Sequence, residues 1–263
     1  MKCLRPVLIQ QGSIKPMEVP CGKCMVCKEM IAKEWSTRLL HEYKSHSKAC
    51  FITLTYSEES LPEDESISKE ELQKFFKRLR KNSGMEIKYF ACGEYGEKYG
   101  RPHYHAILFG IGLKHDDKVI IEKSWKFGSV NYGHVTIASM KYVTGYILKG
   151  GKIENSKEKP FRLMSKGLGK EFALNNKEYL MKDLSLTVNG YRQTLPRYYT
   201  KVLDIPEEIK IEKAIENEKM SVRKIISMNI NTRSEYIRAE SSDREQRKLN
   251  MESRKALRRR DKF

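Results

Sequence analysis

Three short patterns in this chain carry reactive side chains at spacings that could do chemistry. The first is His103-Tyr104-His105. It lies in the aromatic and β-branched run Arg101–Phe109, introduced by Gly100-Arg101-Pro102, which predicts a strand. Successive strand side chains alternate between faces, so His103 and His105 project from one face, followed by Ile107 and Phe109. Two adjacent imidazoles can hold one divalent cation, and Glu94, at the end of the preceding run Glu86–Tyr95, is the best carboxylate to complete the set. A lone strand histidine is more often a packing residue; the pair and the nearby carboxylate favour a metal. Two nitrogens favour Mn2+ on chemical grounds, whereas abundance in cells favours Mg2+.

The second pattern is Tyr142-Val-Thr-Gly-Tyr146-Ile-Leu-Lys149. Tyr142, Tyr146 and Lys149 share a helical stripe, and a phenol oxygen is a competent nucleophile toward phosphate. Lys149 could neutralise phosphate charge or help ionise a tyrosine. Gly145 lowers helix propensity by roughly 1 kcal/mol and could permit a close backbone approach. Taken alone, the tyrosines would read as amphipathic core. The third pattern is Cys21-Gly-Lys-Cys24-Met-Val-Cys27, which with Cys3 could form a tetrahedral Zn(Cys)4 site. Four sulfurs leave no open position, so such zinc would be structural. The plain alternative is a set of free thiols at a helix start, and the long Cys3–Cys21 loop is the weak point of the zinc reading.

Together these residues resemble the HUH family of single-strand DNA nickases: His-hydrophobic-His followed by a tyrosine helix with a downstream lysine, in the two-tyrosine branch of rolling-circle replication. The segments Phe51-Ile-Thr-Leu-Thr-Tyr56, Cys92-Gly-Glu-Tyr-Gly96, Gly100–Phe109 and Cys21–Cys27 resemble replication initiation proteins of gokushovirus-type microviruses, as do Met164–Gly169 and Leu195–Tyr199. The resemblance runs from about Cys21 to Tyr199. It implies a ferredoxin- or RRM-like core with the histidine strand central. It also implies a nick at single-stranded or viral-origin DNA, a 5′-phosphotyrosine link, a free 3′ hydroxyl that primes synthesis, and later rejoining. Host helicase and polymerase would be partners, and the cytoplasm of the bacterial host cell the place of action. No Gly-x4-Gly-Lys-Ser/Thr phosphate loop is present, so unwinding must come from elsewhere.

Rival chemistries fit less well. A His-x-His-x-His hydrolase would need a third histidine where Ile107 stands, and a paired His-x-Thr phosphoesterase finds only His134-x-Thr136. The runner-up is a non-enzymatic zinc-containing DNA-binding protein. It accounts for the cysteines and the charge but not for the Glu, His and Tyr arrangement.

These residues must be positioned by a chain of 263 residues with 51 Lys and Arg against 34 Asp and Glu, a net charge of +17 that points to a polyanionic partner. Six cysteines without an exporting leader indicate a reducing compartment, and no run approaches the 18 apolar residues of a membrane span. The expected organisation is a Cys-rich segment and basic helix at 1–47, the endonuclease core at 48–150, an extension at 151–204 and a charged helical tail at 205–263. Lys28–Ser47 predicts a helix with an apolar core face (Ile31, Trp35, Leu39) and a basic outer face (Lys28, Lys33, Arg38, Lys44), with His41 and His46 on the surface. Cys50–Tyr56 predicts a strand. Ser68 and Glu71 predict a capping box opening a helix to about Lys81, with Leu72, Phe75, Phe76 and Leu79 buried. Lys114–Trp125 predicts a helix and Gly128–Ala138 a strand; His115 and His134 lack the paired spacing of metal ligands. These alternations predict an α+β fold, an antiparallel sheet flanked by helices with a helical basic C-terminal extension. Asn189-Gly190 signals a hairpin turn. Arg101, Arg197, Tyr198 and Lys201 are the candidate DNA contacts, the last three beside Tyr199 in a cation and aromatic cluster suited to base stacking.

Overall fold

The computed structural model describes residues 3–9, 17–96, 99–146, 157–213, 215–216, 219 and 232–260. The chain divides into two compact units, Lys28–Leu203 and a second made of Met1–Cys27 with Asp204–Phe263.

In the larger unit, β3 (Ala49–Tyr56), α2 (Lys69–Ser83), β4 (Lys88–Tyr95), β5 (Pro102–Phe109), α3 (His115–Ser124) and β6 (Gly128–Gly133) follow one another. The preceding strands β1 (Val7–Ile9) and β2 (Met17–Val19) form a separate hairpin in the other unit. The antiparallel sheet order is β6-β3-β5-β4-β7, with β7 (Phe161–Met164) added at the edge. This is the expected α+β arrangement, a ferredoxin-like β-α-β-β-α-β core with the histidine strand central.

The alternation of β3 shows how the layers form. Cys50, Ile52, Leu54 and Tyr56 are buried on the back face. There they join Tyr104, Ala106 and Leu108 of β5, the α2 residues Leu72, Phe75, Phe76 and Leu79, and Ile121 of α3. Phe90, Cys92, Ile107 and Phe109 point to the front. That layer is covered by Leu39, Trp35 and Leu40 of α1 (Met25–Lys44) and by Met140 and Val143 of α4 (Ile137–Gly145).

Several expectations change. Ser68 does cap α2, accepting from the Glu71 N–H at 3.2 Å, but the reciprocal arm of the box is absent. Glu71 instead accepts from the Tyr56 hydroxyl, and the Ser68 N–H donates to the buried Tyr104 hydroxyl at 2.7 Å. A true capping box lies at Thr136 and Ser139. It starts α4 early, so the strand expected through Ala138 ends at Gly133 and the tyrosine helix ends at Gly145 with Tyr146 as its cap. Asn189 and Gly190 both take positive φ, 50° and 77°, as a two-residue turn between β8 (Ser185–Val188) and β9 (Tyr191–Thr194) requires. The C-terminal helix Arg233–Arg260 bears out the helical extension.

The largest change concerns α1. His41 is buried, not on the surface: its ring stacks on Phe172 at 3.6 Å, and its Nδ1 lies 2.8 Å from the Tyr199 hydroxyl. Arg38 is buried too, held between Trp35 and Tyr198 with its Nε donating to the Leu168 carbonyl at 3.1 Å. Glu42, 1% exposed, accepts from the Gly169 N–H, Lys88 and His46. The expected solvent face of the helix is therefore covered by the segment carrying α5 (Lys170–Asn175), α6 (Lys177–Asp183) and α7 (Arg197–Val202). A single helix's periodicity cannot reveal a second covering layer.

His41 gives this layer a pH dependence. Burial, reinforced by Lys44, holds its imidazole down at about 4, from 6.5. Between those values the unfolded chain binds a proton that the folded chain refuses. The contribution is therefore complete above the unfolded value, falls as pH drops and is gone near the folded one. The full window corresponds to roughly 3 kcal/mol. Urea midpoints measured from pH 7 to pH 4 should fall more steeply for the natural chain than for His41→Gln. Parallel curves would refute this assignment.

Candidate active site

The site is built by strand register. On β5, His103 stands opposite Glu94 of β4 and Thr55 of β3, while His105 stands opposite Cys92 and Thr53. Directly paired residues point the same way, so one face carries two rows of polar side chains above the apolar row Phe51, Ile107 and Phe90.

Glu94 Oε1 lies 3.0 Å from His103 Nε2 and 3.1 Å from His105 Nε2, and the three potential ligand atoms fall within 4.8 Å of one another. The other ring nitrogens are occupied. His103 Nδ1 meets the Arg101 carbonyl at 3.1 Å and must donate to it, because a carbonyl oxygen only accepts. His105 Nδ1 meets the Thr53 hydroxyl at 2.9 Å. In neutral rings so oriented, both Nε2 lone pairs converge with a carboxylate oxygen on one point, an arrangement that a cation stabilises. Glu94 and His105 are 5% and 6% exposed, so this charge is poorly screened by water. The residues fit a two-nitrogen, one-oxygen site. His115 and His134 are exposed, and neither belongs to a potential metal-holding group among the described residues.

The tyrosines come from α4. Met140 and Val143 anchor the helix in the front layer, and Thr144 shares a 2.7 Å hydroxyl contact with Ser36 of α1. That leaves the aromatic stripe over the histidines. The Tyr142 hydroxyl lies 3.4 Å from His105 Nε2, and its ring meets those of His105 and Tyr146 edge-on. Tyr142 is 43% exposed. Tyr146 lies nearly parallel to His105, with centroids 5.6 Å apart. Burial pushes its phenol far above the ordinary range, and hydrogen bonding to Glu94 and Tyr142 adds to this. Gly145 makes no close approach: a Cβ there would meet nothing within 4 Å. Lys149 lies outside the described residues.

The other candidates are more scattered. Arg101 pairs with Glu58 and donates to the Tyr56 carbonyl at 2.8 Å. On α7, Arg197 and Lys201 are exposed, Tyr198 faces Arg38, and Tyr199 is fully buried, so it offers no stacking surface. Cys3, Cys21, Cys24 and Cys27 come together in the other unit.

Two residues escaped the sequence reading. Thr53 orients His105; the alternation Phe51-Ile-Thr53-Leu-Thr55 held that signal, once β3 is known to flank β5. Arg162 stands opposite Cys92 on β7, in the row of His105, exposed on the same face. Nothing in a four-residue edge strand announced it.

A family model for replication-associated proteins of the ORF2 type matches residues 49–151. Among curated proteins, the chain is 32% identical over 216 residues to replication-associated protein ORF2 of Spiroplasma virus 4, covering 71% of this chain and 68% of that one. It is 28% identical over 213 residues to replication-associated protein ORF4 of Chlamydia phage 1 (70% and 53%). It is also 28% identical over 207 residues to replication-associated protein VP4 of Bdellovibrio phage phiMH2K (68% and 65%). The chain thus spans about half the length of the Chlamydia phage protein and about two thirds of the other two. No solved structure matches.

Proposed function

Because the chain belongs to the phage replication-associated proteins, we propose that it initiates rolling-circle replication by a metal-assisted tyrosine nick in single-stranded origin DNA. The observation that carries this reading is the convergence of Glu94, His103 and His105 beneath a tyrosine hydroxyl 3.4 Å from His105.

A divalent ion at the three ligands, Mn2+ or Mg2+, supplies charge neutralisation at the non-bridging oxygens of the scissile phosphate. The chain's own residues do the rest. Thr53 and the Arg101 carbonyl hold the two imidazoles in register. Tyr142, the more exposed phenol, makes the first attack on phosphorus. Its oxygen forms the new P–O bond, the 3′ oxygen leaves, and the proton lost by the phenol is regained at the 3′ hydroxyl. One phosphodiester replaces another, so rejoining needs no ATP. Tyr146 carries the second cut while Tyr142 holds the parental 5′ end. Lys149 takes the phosphate-neutralising role on its sequence spacing alone. Arg101, Arg162, Arg197, Tyr198 and Lys201 supply cations and ring surface for the strand. Host helicase and polymerase complete the reaction in the bacterial cytoplasm.

The test is incubation of purified protein with end-labelled single-stranded origin DNA and Mn2+, resolved on a denaturing gel. A metal-dependent band at the mass of protein plus oligonucleotide is expected. Retardation without cleavage on fragments tiling the genome would favour the zinc-containing DNA-binding module instead.

A further inference from the structure

The cysteines play no part in that chemistry, yet their arrangement is specific. Cys3 Sγ lies 3.5 Å from Cys21 Sγ and 3.7 Å from Cys24 Sγ, and all four sulfurs of Cys3, Cys21, Cys24 and Cys27 fall within 4.8 Å of one another. A tetrahedral ion with bonds of about 2.3 Å to sulfur requires sulfur separations of about 3.8 Å. The four thiols therefore already stand close to the required tetrahedron. All are free cysteines.

The long loop that weakened this reading in the sequence is not a loop. Val7–Ile9 and Met17–Val19 pair antiparallel, Val7 opposite Val19 and Ile9 opposite Met17, which brings Cys3 back beside Cys21. Cys24 and Cys27 lie at the start of α1. The sulfurs also have outer partners. The Arg5 and Cys21 N–H groups donate to Cys3 Sγ at 3.3 and 3.4 Å, and the Cys24 N–H donates to Cys21 Sγ at 3.3 Å. Backbone donors aimed at sulfur stabilise thiolates and orient them as ligands. The Cys24 and Lys23 N–H groups hold the Cys21 thiol down at about 6. Arg5, Lys23 and Lys28, close by in sequence, offset the negative charge of a tetrathiolate.

We propose that Cys3, Cys21, Cys24 and Cys27 bind one structural Zn2+, which clasps the N-terminal hairpin to the first turn of α1. Thiolate ligands select a soft or borderline ion, and four of them leave no coordination position for substrate. The physical need is plain. A two-stranded hairpin with three-residue strands is marginal in water, and Val7, Leu8 and Ile9 are 49%, 67% and 43% exposed, so burial contributes little. A metal clasp supplies what the missing core does not.

The experiment is metal analysis of the full-length protein, purified without chelator and free of DNA, followed by exchange with Co2+. One zinc per chain is expected, with the visible bands of tetrahedral cobalt and a sulfur-to-cobalt charge-transfer band. Cys24→Ser should lose both, and Cys50→Ala, whose sulfur lies in the sheet core, should keep both. Cys21→His, which can still ligate, should retain zinc with shifted cobalt bands, separating lost ligation from misfolding. Chains that carry no zinc and give no cobalt spectrum overturn the proposal, as do chains that carry iron instead or a spectrum that survives Cys24→Ser. None of these readouts involves DNA cleavage, so failure here leaves the nicking assignment standing, and failure of nicking leaves this one.

Discussion

With Tyr142 and Tyr146 both replaced by Phe, the covalent protein–DNA adduct should disappear while Mn2+ binding persists. Each change removes only the phenol oxygen, and the ring contacts with His105 survive. The three metal ligands lie on the strands, not on the helix. Loss of a nucleophile with no substitute is expected to cost on the order of 10⁴-fold in adduct formation. The single variants should differ. Tyr142→Phe should lose most of the first-round adduct, because Tyr142 is the phenol that a strand can reach. Tyr146→Phe should keep the first adduct and fail in transfer to a second oligonucleotide. Adduct persisting in the double variant would place the nucleophile elsewhere; first-round adduct persisting in Tyr142→Phe would reverse the order of the two.

Glu94→Gln is expected to have the second largest effect. The carboxylate is nearly fully buried between two imidazoles, and the amide preserves its shape while removing the charge that holds a cation. Several kcal/mol of transition-state stabilisation should go with the bound ion, roughly a 10²- to 10⁴-fold fall in cleavage at fixed Mn2+. Calorimetric titration should show Mn2+ binding weakened by roughly 100-fold or more. Circular dichroism should be unchanged, since Glu94 lies on the sheet's front face and the back-face core does not include it. Unaltered Mn2+ affinity in this variant would remove Glu94 from the ligand set.

The metal triad was legible because two simple rules intersect in it. Strand alternation puts His103 and His105 on one face, and a tight connection returns Glu94 beside them. The core strands and α2 followed from the same alternation and from caps. What could not be read was set by contacts between segments distant in sequence. His41 and Arg38 look like surface residues until Phe172, Tyr198 and Tyr199 arrive more than 130 positions later. The start of α4 was missed because Ser139 plays the part usually given to Glu or Gln in a capping box. Cys3 could be paired with Cys21 only once the hairpin between them was seen.

The central position of β5 also separates two clocks. Its backbone is hydrogen-bonded to β3 on one side and β4 on the other, so His103 and His105 shift only when the whole domain opens. The tyrosines ride on nine residues of helix, and a segment that short can part from the sheet at far smaller free-energy cost. A DNA end attached to that helix can therefore move on a fast timescale over an ion cradle that moves on a slow one. The cradle stays assembled for the rejoining step however long the covalent intermediate waits.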